Sequence, residues 1–350
     1  MQAAILAAQR QPLVVDEVGL PERLEFGQVL VRVVYSGICG AQLNEIDGAK
    51  GEDPYIPHLL GHEGSGIVVE AGPGVKTVSA GQRVVMHWRK GRGIEAPTAR
   101  YQWRGRSLNS GWVTTFNQYA VVSENRVTPI PDGLELDVAP LLGCAVTSGL
   151  GVITNNARVR IGDSVVVFGA GGVGLNVIQG AVLAGAHPIV AVDLYDAKLE
   201  FARKFGATHT INSRQTDAPA EIRRIIGSGG ADVVVDVTGQ VEVIETAYEL
   251  AGPTGRVILV GVPAKGKKPS FYTLPLHFGK VITGSHGGET DPTVDIPRYV
   301  RLYQAGKLQL RQLITDRMPL ARINEAIEKM RSGEIVGRCI LEVSPDPDRG

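Results

Sequence analysis

From Ser164 to Val192 the chain carries no Asp, Glu, Lys or Arg, in SVVVFGAGGVGLNVIQGAVLAGAHPIVAV, and Asp163 and Asp193 close the run at either end. Two structures hold a run this apolar: a membrane span of about 20 residues, or chain buried on both faces of a parallel sheet. Glycines, Asn176, Gln179 and the His187-Pro188 pair interrupt it. It therefore splits into strand, glycine turn, helix and strand. Both strands are β-branched runs of the kind a covered parallel sheet uses. No membrane span is expected.

The turn is Gly169-Ala170-Gly171-Gly172-Val173-Gly174, a GxGxxG between the strand VVVF and the helix that follows. Alone the pattern is weak; between strand and helix it has the context that a dinucleotide site needs. Glycines there permit a tight turn and a close approach of pyrophosphate to the helix N-terminus. Asp193 ends the next strand, about 20 residues on, where a carboxylate takes the ribose hydroxyls and repels a 2′-phosphate. Leu194 and Tyr195 follow without an adjacent Arg. The expected cofactor is NAD.

At 350 residues the chain exceeds one ordinary core, so two domains are expected. Strand and helix alternate from about 160 to 285, which implies a doubly wound sheet. Residues before about 150 show short Val-rich strands broken by Gly and Pro, as in VLVRVVYSG and GSGIVVEAG. That part reads as irregular and mostly β. Beyond about 290 come two helical patterns, RYVRLYQAG and INEAIEKMRSG, then a strand, GRCILEV. A net charge of zero suggests neither nucleic acid nor an anionic membrane as partner. Three cysteines build no disulfide framework, and the N-terminus has no signal-peptide pattern, so a cytoplasmic protein is expected.

Two of those cysteines lie between small residues: Cys39 in SGICGAQ and Cys144 in LLGCAVTSG. His62-Glu63 lies in LLGHEGSG. Two thiolates and an imidazole are a soft set that suits zinc with one open position. Two buried cysteines and a satisfied histidine would read the same way, and spacing alone leaves both readings open. Cys339, in RCILEV, reads as a small buried hydrophobe, and His209, in THTIN, as a packing residue.

The ordered series GICG, GHEGSG, GQRVV, GCAVTSG, VVVFGAGGVG and AVD, with the late GRCILEV, resembles the zinc-dependent medium-chain alcohol dehydrogenases over nearly the whole chain. The resemblance implies an α/β protein: a GroES-like catalytic domain from residues 1–152 and 288–350, and a Rossmann NAD-binding domain from 153–287. It implies a catalytic zinc on Cys39, His62 and Cys144, with Glu63 close to the metal, tuning or transiently occupying its coordination shell. It places Ser148 near the nicotinamide, Val260 and Val262 around the carboxamide, Arg338 at the pyrophosphate, and Trp88 and Phe116 at the substrate. Gly169, Gly171, Gly172, Val173, Gly174 and Asp193 complete the cofactor set. A homodimer or homotetramer is implied.

Three departures stand out. Ala41 occupies the place of a hydroxyl that relays a proton in many relatives, and Asn44 that of a relay histidine. His58, His87 and His286 are the remaining candidates. Gln42 stands where relatives often carry an Asp that supports the zinc shell. The lobe HWRKGRGIEAPTARYQWRGRSLNSGW lacks the four cysteines of a structural zinc, so only one zinc is expected. It is instead basic, with Arg89, Lys90, Arg92, Arg100, Arg104 and Arg106 against Glu95. The lobe reads as solvated loop or as a selector of polar substrates. The expected substrate is a sugar, polyol or (amino)cyclitol derivative. The alternatives are aromatic or aliphatic primary alcohols, or a nucleotide-binding homologue with little turnover.

Overall fold

A computed structural model describes residues 1–349. The chain forms two compact units, Met1–Cys144 together with the chain from Asp291 onward, and Ala145–Thr290. The breaks expected at 152/153 and 287/288 fall inside the second unit. Helix Ala145–Gly151 lies against helix Gly172–Leu183, where a Cβ on Gly149 would fall 2.5 Å from Asn176 Cβ, and the segment at Gly288 follows it. A Cβ on Gly151 would lie 2.3 Å from the Gly288 carbonyl oxygen, so these segments are pressed together.

In the first unit, strand Gln28–Gly37 is the hub of a seven-stranded sheet. It pairs antiparallel with Glu63–Ala71 and Tyr119–Ser123 near the start of the chain. It also pairs antiparallel with Arg338–Glu342 from the end, with Ile340 opposite Gly37. Both ends of the chain thus enter one sheet. Val29, Val31 and Val33 alternate along the hub onto one face and are fully buried in the core, the period of two that a strand imposes. Cys339 packs in the same core, and burial pushes its thiol up to about 12.

The second unit holds six parallel strands: His209–Asn212, Ile189–Asp193, Val165–Phe168, Ala231–Asp236, Ala251–Leu259 and Val281–Gly284, in that spatial order. This is the doubly wound arrangement read from the sequence. Its topological switch lies between Val165–Phe168 and Ala231–Asp236, where such sheets bind ligands at the carboxyl ends of their strands. The charge-free run is explained by burial: Val165, Val166 and Val167 are fully inaccessible. The helix that follows, Gly172–Leu183, has 12 residues, about 18 Å against the ~30 Å of a bilayer core. Its Asn176 is satisfied internally, donating to the Gly172 carbonyl at 2.8 Å. Among the described residues no helix is long and apolar enough to cross a membrane.

Candidate metal centre and dinucleotide turn

Strand Gln28–Gly37 ends where helix Gly40–Ile46 begins, and Cys39 is the cap between them. His62 directly precedes strand Glu63–Ala71, which pairs with that hub strand. Cys144 follows a short 3₁₀ turn, Ala139–Gly143. Gly143 is what allows the approach. A Cβ there would sit 2.5 Å from the Met86 carbonyl oxygen and 3.1 Å from Glu63 Cα. Only a residue without a side chain lets this segment lie against the strand pair.

The result brings Cys39, His62 and Cys144 together, with one ligand atom of each within 4.8 Å of the others. Both cysteines are buried, and His62 is half-buried. His62 Nε2 is buried without any hydrogen-bond partner. A buried polar atom left unmade costs free energy, so an orphan of this kind calls for an explanation. The Cys144 thiol beside it holds the Cys39 thiol well below its ordinary range; burial opposes this, and His62 and the charge of Arg338 reinforce it. Two sulfurs, one held toward the thiolate, and an open imidazole nitrogen fit zinc.

Gln42, on the first turn of the helix, is 1% exposed. Its Oε1 accepts from the Cys39 N–H at 2.9 Å, and its Nε2 faces His62 Nδ1. Beside the set lies an ion pair that the sequence did not show. Glu63, fully buried, pairs with Arg338, itself 4% exposed. The guanidinium expected at the pyrophosphate is thus engaged by the acid beside His62. Ser36 Oγ, hydrogen-bonded to Thr115 Oγ1 at 2.7 Å and donating to the Glu63 carbonyl at 3.1 Å, braces the same strand; nothing in the sequence singled it out.

The other candidates are occupied elsewhere. His58 is buried, with Nδ1 at 2.8 Å from the Leu59 carbonyl and Nε2 at 2.8 Å from Asp53. His87, opposite Glu63 in the strand pair, meets the Arg89 carbonyl at 2.7 Å and the Thr128 hydroxyl at 2.9 Å. Burial lowers its pKa to about 4. His286 belongs to the second unit, at the turn Gly287–Glu289. His209 begins a strand there, its Nδ1 3.0 Å from the Thr208 hydroxyl. Asn44 is exposed, and Ala41 is half-buried. Trp88, half-buried, follows His87 directly, and its carbonyl accepts from Arg126. Phe116, expected at the substrate, is fully buried in the core.

The basic lobe is held by charge. Glu95 takes Lys90 at 2.8 Å and Arg126 at 3.1 Å. Burial opposes its ionisation, yet Lys90, Asn125 and Arg126 together hold Glu95 down at about 2. Buried Glu124 accepts from the Ile94 N–H at 2.8 Å and from the N–H groups of Lys76 and Thr77. Trp103 and Arg104 both donate to Asp16 at 2.9 Å.

In the second unit the glycine turn is tight. Gly169 adopts φ +96°, and a Cβ on Gly174 would fall 1.9 Å from the Gly169 carbonyl oxygen. Gly171 caps the helix that begins at Gly172 and Val173, and its Cα faces open space. Asp193 accepts from the Ala170 N–H at 2.7 Å and from the Leu194 N–H at 2.7 Å. The turn and the acid at the end of the next strand are therefore one hydrogen-bonded piece. Arg214 stacks on the Tyr195 ring at 4.6 Å and Lys198 at 5.2 Å. Arg214 escaped the sequence reading because it is close to Tyr195 in space only. Ser148 is buried in helix Ala145–Gly151. The Val260 N–H bonds the Asp236 carbonyl at 2.8 Å, while the Val262 side chain is 62% exposed.

Comparisons with known proteins give the family. The alcohol dehydrogenase GroES-like domain family matches residues 25–132, and the zinc-binding dehydrogenase family matches residues 172–305. The chain is 34% identical to the class-3 alcohol dehydrogenase of Cereibacter sphaeroides, over 97% of this chain and 99% of that one. It is 33% identical to the S-(hydroxymethyl)glutathione dehydrogenase of Haemophilus influenzae, covering 97% and 96%. Among solved structures, benzyl alcohol dehydrogenase from Acinetobacter calcoaceticus superposes with a TM-score of 0.89 at 30% identity, covering 98% and 99%.

Proposed function

Since the chain belongs to the zinc-dependent alcohol dehydrogenase family, an oxidoreductase family that interconverts alcohols and carbonyl compounds with NAD, we propose that it works with one catalytic zinc, on Cys39, His62 and Cys144, and on a polar alcohol. The observation that carries the site is the orphaned His62 Nε2 beside two cysteines. Zinc held there supplies Lewis-acid chemistry that makes an alcohol hydroxyl more acidic.

The chain's own residues do the rest. The cysteines bring the negative charge that offsets the metal's. Gln42 fixes the plane of the His62 ring. The Glu63–Arg338 pair keeps a buried charge neutralised beside it. In the second unit, backbone N–H groups at the start of helix Gly172–Leu183 take the pyrophosphate and Asp193 takes the ribose. Ser148, Val260 and Val262 border the nicotinamide end, and the cofactor supplies the hydride chemistry. Ala41 carries no exchangeable proton, and both ring nitrogens of His58 and of His87 are engaged. The proton therefore leaves through water or through the substrate's own hydroxyls.

For the substrate we favour a sugar, polyol or (amino)cyclitol derivative, supported by the basic lobe and by Trp88, which follows the residue paired with Glu63. A second reading, a primary alcohol or a hydroxymethyl thiol adduct, is supported by the names of the relatives and of the solved structure. The absence of a second zinc is supported by Glu124, Glu95 and Arg126, which tie the lobe down without cysteines. A homo-oligomer through the outer strand Val281–Gly284 is supported by the exposed Tyr272, Phe278 and Val281 nearby.

The test is metal analysis followed by absorbance at the NADH band over a panel of polyols, sugars, benzyl alcohol and S-hydroxymethylglutathione. One zinc per chain and turnover on the polyols are expected. High kcat/KM on benzyl alcohol or the glutathione adduct with none on polyols would install the second reading. No reduction of NAD on any of them would overturn both.

A further inference from the structure

On the zinc reading of Cys39, His62 and Cys144, which this inference rests on, Gln42 bonds two of the three ligands. A side-chain amide offers one acceptor atom and one donor group. Here the oxygen serves the Cys39 N–H and the NH₂ group is aimed at His62 Nδ1. Nδ1 is then an acceptor, and the ring proton sits on Nε2, the orphaned atom beside the sulfurs. Ligation through Nε2 uses that atom's lone pair, so the ring proton must move to Nδ1, which becomes a donor. Two N–H groups, of Cys39 and of His62, now face opposite ends of one amide. Whichever way the amide is turned, one of them meets an NH₂ group. A carboxylate has an oxygen for each.

We infer that Gln42 is a positioning residue that sets the zinc affinity of this site below what a carboxylate would give, and that zinc entry turns its amide over and releases the Cys39 N–H from its side chain. The metal-free protein is the state this amide suits.

The isosteric Gln42→Glu variant tests this, because it replaces NH₂ by oxygen without changing shape. Zinc affinity is measured by competition with a chelating dye on wild type, Q42E and Cys39→Ser, and exchange of the Cys39 backbone amide is followed with and without zinc. The expected result is about 10- to 100-fold tighter zinc in Q42E, the usual size of an effect on a ligand's hydrogen-bond partner. Zinc should also speed Cys39 amide exchange in wild type but not in Q42E. The amide readout separates acceptor count from the added charge, which alone would tighten zinc without moving exchange. Thermal melts of the metal-free proteins check that Q42E and C39S fold as wild type does. If wild type binds zinc and C39S loses it, but Q42E matches wild type in affinity or in exchange, this inference is wrong while the site stands. If wild type takes up no zinc and C39S changes nothing, the site itself fails and the inference with it.

Discussion

The glycine turn of the second unit and the cysteine–histidine set of the first would serve the proposed function by opposite routes. The turn is contiguous: residues 169–174 pass directly from strand to helix, and Asp193 joins through one hydrogen bond to Ala170. Its working feature is missing atoms, because a Cβ on Gly169 or Gly174 would collide and one on Gly171 would stand in the open space before the backbone. The cysteine–histidine set comes from three separate segments, gathered by antiparallel pairing around Gln28–Gly37. Its working feature is an unmade bond at His62 Nε2. A contiguous cradle is spoiled by adding an atom; a gathered set is spoiled by removing one.

The sharpest break in that comparison is Cys39→Ser. Removing one sulfur should abolish stoichiometric zinc and cut kcat/KM by on the order of 1,000-fold, since a metal Lewis acid contributes several kcal/mol. NAD binding, followed by fluorescence titration, should be unchanged. Loss of both would mean that the cradle depends on the gathered set.

Acid should separate the two units next. His87 lies in the first unit, and burial lowers its pKa from 6.5 to about 4. Between those values the unfolded chain binds a proton that the folded one does not, so stability falls as pH drops through the window. One such group accounts for about 3 kcal/mol. Denaturant melts from pH 7 to pH 4 should show this loss, and His87→Gln should flatten it. A wild-type profile with no slope there would mean that the ring is not held neutral.

How far each unit could be read from the sequence follows the same division. The charge-free run announced a strand buried on both faces, and Val165–Phe168 is that strand, because a local pattern reports a local environment. The glycine spacing announced the turn for the same reason. Cys39, His62 and Cys144 carry no such local sign; they were found only because their motifs recur in a fixed order. What no order could give was the pairing of side chains across the sheet. The Glu63–Arg338 pair joins residues from opposite ends of the chain. His58 and His87 looked available because sequence does not show which carbonyl or hydroxyl lies 3 Å away. Phe116 was expected at the substrate and sits in the core, where an aromatic side chain looks the same in sequence. The second unit begins at Ala145 rather than at 153 because Gly149 lies against Asn176, a contact between residues distant in sequence.

Adding an atom to the cradle tests the other half of the comparison. Gly174→Ala would place a methyl 1.9 Å from the Gly169 oxygen. Relief requires the helix to move from the strand, at about 2 kcal/mol. The expected outcome is a lower melting temperature and NAD affinity weakened by at least about tenfold, with zinc content intact. An alanine variant that binds NAD as wild type does would show that the turn is not the pyrophosphate site.

Asp193→Asn is the mildest change and the most discriminating. The carboxylate uses Oδ2 for the Ala170 N–H and Oδ1 for the Leu194 and Tyr195 N–H groups. An amide keeps one of these acceptors and turns an NH₂ toward the other, so the link between turn and strand is weakened. It also removes the charge that repels a 2′-phosphate, while Arg214 and Lys198 remain on the Tyr195 ring. NAD should bind about tenfold more weakly, the size of one hydrogen bond. NADP should lose less or gain, so the preference between the two narrows. Equal weakening of both would mean that Asp193 braces the turn without reading the ribose. An unchanged preference and affinity would mean that it does neither, and the cradle would then be built by the glycines alone.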